Sequence, residues 1–142
     1  MSNMTISLLD RSNYYKGLLI LTGKDRIIDP RERALMLQIG MILDFEKRFC
    51  EAAIDSLLDN EYITDEPVIF SSRGIAESFL RDGIRMALVD NEIHPQERAW
   101  LESMAQANGI VGGWLNAEIQ RIKDGKEAID PSSPLAIQQY LS

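Results

Sequence analysis

The sequence predicts an all-α single domain of six to seven helices, built from two pseudo-repeated helix–loop–helix–helix halves. Three observations carry this. The stretch Asp25-Arg26-Ile27-Ile28-Asp29-Pro30-Arg31-Glu32-Arg33-Ala34 recurs as Asp90-Asn91-Glu92-Ile93-His94-Pro95-Gln96-Glu97-Arg98-Ala99, an offset of 65 residues with six of ten positions identical. Apolar residues recur at three- and four-residue spacing along most of the chain, the period of a helix with one buried face. No segment alternates apolar and polar residues over a convincing strand length. The offset extends beyond the ten residues: Tyr14 aligns with Phe79, Phe49 with Trp114, Ala52 with Ala117, Ile54 with Ile119 and Leu57 with Ile122. Neither half can bury its apolar face alone, so the two should pack against each other. The halves are expected over about residues 12–59 and 72–124, with 125–142 as a tail.

The first helix is expected from about Ser12 to Gly23. Ser12 or Asn13 would cap it, and Tyr14, Leu18 and Leu21 form its stripe beside Tyr15 and Leu19. Residues 1–11 could pack through Ile6, Leu8 and Leu9 or fray. Asp29 caps the second helix, Pro30 occupies its first turn, where a missing N–H costs nothing, and Glu32 can reach back to the cap. Leu35, Ile39 and Ile42 mark its face, widened by Met36 and Leu43. Asp44 would cap a third helix from Phe45 to about Leu58, with a stripe of Phe45, Phe49, Ala53 and Leu57 flanked by Cys50 and Ile54. The longest break, from Asn60 to Ser72, divides the halves.

Ser71 or Ser72 caps the fourth helix, which runs to about Val89 and carries Ile75, Phe79 and Met86 inward. Gly83 lies where a second helix could approach closely. In the fifth helix His94 is the cap, Pro95 the first residue and Glu97 the third, with Trp100, Met104 and Ala107 facing inward beside Leu101 and Ala105. Asn108-Gly109 ends it, because both residues accept the left-handed conformation. The sixth helix runs from Trp114 to about Lys123. Asp130-Pro131-Ser132-Ser133-Pro134 is a turn, and Leu135 to Leu141 can form a short last helix.

At 142 residues and 45% hydrophobic content the chain can bury a core without disulfide or metal. Cys50 is the single cysteine, so no disulfide forms within the chain, which fits a reducing compartment. The first nine residues lack the pattern of a signal peptide, and no apolar run reaches the ~20 residues that span a bilayer. The expected location is the cytoplasm, with no membrane span. Twenty-two acids against fifteen bases, with no basic run, argue against nucleic acid, whose phosphates demand Lys and Arg. An acidic surface suits protein partners or cations.

The second loop, Asp90-x-Glu92-x-His94-x-x-Glu97, brings three carboxylates and one imidazole within eight residues. Carboxylate oxygens suit hard divalent cations, and an imidazole extends the set to transition metals. The same residues also make sense as a capping box with Asp90 hydrating the loop. From Asp55 to Pro67 there are five acids (Asp55, Asp59, Glu61, Asp65, Glu66) and no base. That run reads either as a solvated surface or as a site for a cation or basic partner. His94 is the only histidine, and it sits at a cap, which leaves no Ser–His–Asp or Cys–His arrangement. Cys50 lies mid-helix as a core thiol. Trp100 and Trp114 fit core stripes.

The doubled pattern resembles the tellurite-resistance TerB-like family. The likeness is sharpest from Ala87 to Glu97, ending in Asn108-Gly109-Ile110, and covers about residues 12–123. The resemblance implies an all-helical duplicated fold and a role in bacterial responses to tellurite and other stresses. It also implies cation binding by acidic loop residues, by position Asp25, Asp29 and Glu32 in the first copy and Asp90, Glu92 and Glu97 in the second. The family often carries Gly after the first Asp, where this chain has Arg26 and Asn91. Asn tolerates that backbone and Arg does so poorly, so the second loop is the better cation site. The expected function is therefore non-enzymatic binding of protein partners, with divalent cations at the acidic loops. Two alternatives stand beside it: a metal-dependent hydrolase using Asp90, Glu92, His94 and Glu97, and a homo-oligomeric scaffold with no small ligand.

Overall fold

The computed structural model describes residues 6–24, 28, 30–59, 66–90, 92–126 and 134–141; the side chains of residues 57–59, 90 and 112 lie outside the description. The domain is all-α. Helices α1 (Leu8–Thr22), α2 (Pro30–Ile42) and α3 (Lys47–Asp59) form the first half, and α4 (Arg73–Ala87), α5 (Pro95–Ala107) and α6 (Gly112–Asp124) the second. A 3-10 turn, Leu88–Asp90, follows α4, and a 3-10 helix, Ala136–Tyr140, closes the chain. No strand occurs among the described residues.

The repeat is kept in register at every helix boundary. Moving each boundary of α1, α2 and α3 by 65 residues gives the boundaries of α4, α5 and α6. The caps follow the same rule. Ser7 Oγ accepts from Asp10 N–H at 3.1 Å to start α1, and Ser72 Oγ accepts from Ile75 N–H at 3.2 Å to start α4. The ends of α2 and α5 match as well. Phe45 N–H reaches back to the Gly40 carbonyl at 2.9 Å, and Ile110 N–H to that of Ala105 at 2.9 Å, each closing a Schellman turn. The left-handed residue of that turn is Gly109 (φ 72°) in the second half and Asp44 (φ 70°) in the first.

Three helix starts differ from the sequence reading, α6 among them, which begins at Gly112 rather than Trp114. The first helix starts at Leu8 rather than Ser12, with Ser7 as its cap. Leu8 and Leu9 point to solvent, so the start of α1 lacks the inward stripe that marks a helix. Asp44 is not the cap of α3; it ends α2, and α3 begins at Lys47. Among the described side chains of α3, Cys50 and Ile54 are buried, while Phe49, expected inward, is 54% exposed. The remaining stripes face the core as expected: Tyr14, Leu18 and Leu21 in α1, Leu35 and Ile39 in α2, Ile75, Phe79 and Met86 in α4, Trp100, Leu101 and Met104 in α5, Leu115, Ile119 and Ile122 in α6.

The two halves meet where α1 crosses α4. Tyr14 and Phe79, which are repeat mates, contact each other edge to face with centroids 5.4 Å apart and planes at 86°. Phe79 packs over Gly17, and Tyr14 donates to Asp82, the repeat mate of Gly17. A contact between i and j that is matched by their mates in reverse order is what a twofold axis produces. Close approach depends on missing side chains. A Cβ on Gly17 would lie 2.6 Å from the Phe79 ring, and one on Gly83 would lie 2.9 Å from Leu101 Cδ2. Trp100 completes the junction by donating its indole N–H to the Gly17 carbonyl at 3.0 Å.

Candidate functional site

The repeated acidic loops lie at equivalent junctions, α1–α2 and α4–α5. In the first loop Asp25 and Asp29 fall outside the described residues. Glu32 is in the first turn of α2, half-buried. In the second loop Asp90 ends the 3-10 turn, with its side chain outside the description. Glu92 is exposed, and its Oε1 lies 3.6 Å from His94 Nδ1. His94 is the N-cap of α5, Pro95 follows at the first position, and Glu97 Oε1 accepts from His94 N–H at 2.9 Å. That is the capping box read from the sequence, and Glu97 is buried in making it. Among the described residues no three His, Cys, Asp or Glu side chains converge as a metal-holding group. Within the acidic run, Asp55 pairs with Arg33 at 3.0 Å; residues 60–65 and the side chain of Asp59 lie outside the description.

Two polar nodes were not anticipated from the sequence. The first is Asp82, fully buried on α4. Its Oδ2 accepts from the Tyr14 hydroxyl at 2.5 Å and from Ile137 N–H at 3.2 Å, and its Oδ1 from Ala136 N–H at 2.7 Å. Burial pushes the Asp82 carboxyl up from its ordinary range, against these hydrogen bonds and the Arg85 guanidinium 3.6 Å away. Burial likewise pushes the Tyr14 hydroxyl up, with the neighbouring Asp82 carboxylate adding to the shift, so Tyr14 stays a neutral donor.

The second node is Asn108, beyond its expected role of ending α5. Its Oδ1 accepts from Phe70 N–H at 2.9 Å, and its Nδ2 donates to the Val68 carbonyl at 2.9 Å and the Met104 carbonyl at 2.8 Å. One amide thus holds residues 68–70 against the end of α5. Asp10 holds the same segment from α1, accepting from Ser71 N–H at 3.0 Å and from the Ser71 hydroxyl. One signal for these nodes was available: Gly17 and Asp82 are repeat mates, as are Leu43 and Asn108. Polar residues replacing Gly or Leu at inward positions mark places where the second half does something the first does not.

Cys50 is buried beneath Gly40 beside Tyr15, as a core thiol should be. Burial pushes the Tyr15 hydroxyl up, and it donates to the Met36 carbonyl at 2.8 Å. An open hollow of about 540 Å³ lies where α5 passes into α6, lined by Glu102, Gln106, Gly109, Val111, Leu115 and Asn116 among others. Glu92, His94 and Glu97 do not line it.

The architecture defines a class: a duplicated six-helix domain whose halves share one core across the α1–α4 crossing. Compared with protein-family models, with curated proteins and with solved structures, the chain matches none. No helix among the described residues is long and apolar enough to cross a membrane.

Proposed function

We propose that this chain acts by binding rather than by catalysis. It is a TerB-like helical domain of a bacterial stress response that holds divalent cations at its two acidic loops and engages protein partners. The observation that carries this reading is the register of the repeat. An acidic loop recurs at the same helix junction in both halves, within a fold whose helix boundaries repeat at 65 residues throughout. Glu97 spends an oxygen on the cap, so Asp90 and Glu92 are the ligands this reading relies on in the second loop, with His94 beside them.

Partner binding is supported by Leu8, Leu9 and Ile69, each more than 60% exposed. Leu8 and Leu9 directly precede Asp10, and Ile69 lies two residues before the Ser71 that Asp10 binds, so the three belong to one end of the molecule. An interaction surface built on these exposed apolar side chains is part of the proposal. The test is partner capture on immobilised chain, in calcium or manganese and again in chelator. Retention should require both the cation and the wild-type surface, and should fail for Leu9→Arg with Ile69→Arg. Equal retention in every condition would contradict the reading.

A further inference from the structure

The pseudo-twofold arrangement is broken where Asp82 stands opposite Gly17. On α1, the backbone at Gly17 is covered by α5 through Trp100. On α4, the repeat mate of Gly17 is Asp82, and the covering element is the C-terminal segment, residues 134–141, not α2. Asp82 receives two successive backbone N–H groups of that segment, from Ala136 and Ile137. Arg85 Nη1 donates to the Pro134 carbonyl at 2.7 Å. Leu135 and Ile137 are buried, and Tyr140 seats its hydroxyl over Gly74, where any Cβ would overlap it.

Leu135 and Ile137 join the common hydrophobic core, and two further features mark the contact. The floor of the groove is polar: a buried carboxylate that water would solvate readily once the segment left. And these contacts run to α4, while the segment joins α6 through residues 127–133, so the same segment carried by another molecule makes the same contacts. We propose that this groove is a receptor for a short peptide, closed in cis by the chain's own residues 134–141, and that the same segment of a second copy occupies it in trans to give a tail-exchanged dimer. Recognition rests on two adjacent N–H groups for Asp82, a carbonyl for Arg85, and Leu and Ile two residues apart. Exchange of an identical element between copies creates no new contact, so its balance is set by concentration.

Hydrogen exchange on the intact wild-type chain is the first arm of the test. The amides of residues 135–141 should exchange at least about tenfold faster than those of the α4 interior, because the segment opens without global unfolding. The second arm titrates a labelled synthetic peptide of residues 133–142 onto the full-length chain. Ile137→Ala weakens the cis segment and leaves the groove whole, so the peptide should bind at least about tenfold more tightly than to wild type. Asp82→Ala in the same background should abolish binding. In the third arm, light scattering on concentrated wild type should detect a dimer that excess free peptide dissolves. Segment amides as slow as those of α4, a peptide that binds neither chain, or a monomer at every concentration would overturn the proposal.

Discussion

Adding one methyl group at Gly17 should destabilise this protein, although the same addition at Gly113 should not. Gly17 lies mid-helix in α1, where Ala is favoured over Gly by about 1 kcal/mol on intrinsic propensity alone. The new Cβ would stand 2.6 Å from Phe79 Cε1 and 2.8 Å from Cζ. Carbon atoms rest at about 3.5–4.0 Å, so the ring must retreat by roughly 1 Å. It has nowhere to go. Phe79 is fully buried, edge-on to Tyr14 at 5.4 Å and against Phe70 at 5.5 Å. Overpacking of this kind costs about 1–3 kcal/mol, and moving the backbone instead would stretch the Trp100 bond to the Gly17 carbonyl. The net expectation for Gly17→Ala is a loss of up to ~2 kcal/mol. Gly113, near the start of α6, has no atom within 4 Å of its added Cβ, so Gly113→Ala should be neutral or stabilising by up to ~1 kcal/mol. Urea unfolding of the three proteins measures both values, read as midpoint shifts at constant slope. If the two substitutions moved stability in the same direction, the α1–α4 crossing described above would be wrong.

Asp44→Gly should raise stability by up to ~1 kcal/mol in the same assay, because it gives the first Schellman turn the residue its mate Gly109 already supplies. Asn108→Ala should cost about 2–3 kcal/mol by leaving Phe70 N–H and the Val68 carbonyl without their partner, and hydrogen exchange at residues 68–70 should rise first. The pH dependence has two opposing parts. Asp82 has a raised folded pKa, so its contribution is full below the unfolded value of about 3.9 and is lost as pH rises through the folded one; Asp82→Asn should remove that decline in pH-resolved melts. At Glu118, burial pushes the carboxyl up, but the pairs with Arg121 at 2.9 Å and Arg81 at 3.4 Å outweigh it and lower the pKa. Its contribution is present above the unfolded value and is lost as pH falls through the folded one, so Glu118→Gln should flatten the acid limb.

Much of the fold was legible because helical periodicity is local. Tyr14, Leu18 and Leu21 share a face whatever they pack against, and Pro30 and Pro95 fix two helix starts through their own missing N–H groups. The start of α1 was not legible, since Leu8 and Leu9 are apolar yet exposed and so disguise the stripe. Asp44 misled for a related reason: Asp suits both a helix cap and a left-handed turn, and only the Phe45–Gly40 hydrogen bond decides between them. Asp82 reads in sequence as one more surface acid on an acidic chain. Its burial comes from Tyr14, 68 residues before it, and from Ala136, 54 residues after it, and no local pattern encodes either. The second acidic loop was legible as a capping box, which is what Glu97 and His94 form. Cation affinity is a separate property, set by how Asp90 and Glu92 arrange around an ion.

Binding at the repeated loops is the central claim, and a thermal melt of metal-stripped protein tests it most directly, with calcium, magnesium, manganese and zinc each titrated in turn. An ion at ~100 times its dissociation constant should add about 2.7 kcal/mol, a rise in melting temperature of roughly 5–10 °C for a domain of this size. The account predicts such a rise with at least one ion, abolished by Asp90→Asn together with Glu92→Gln, which leave the Glu97 cap in place. An unchanged melt with all four ions would contradict it and leave both loops as helix caps.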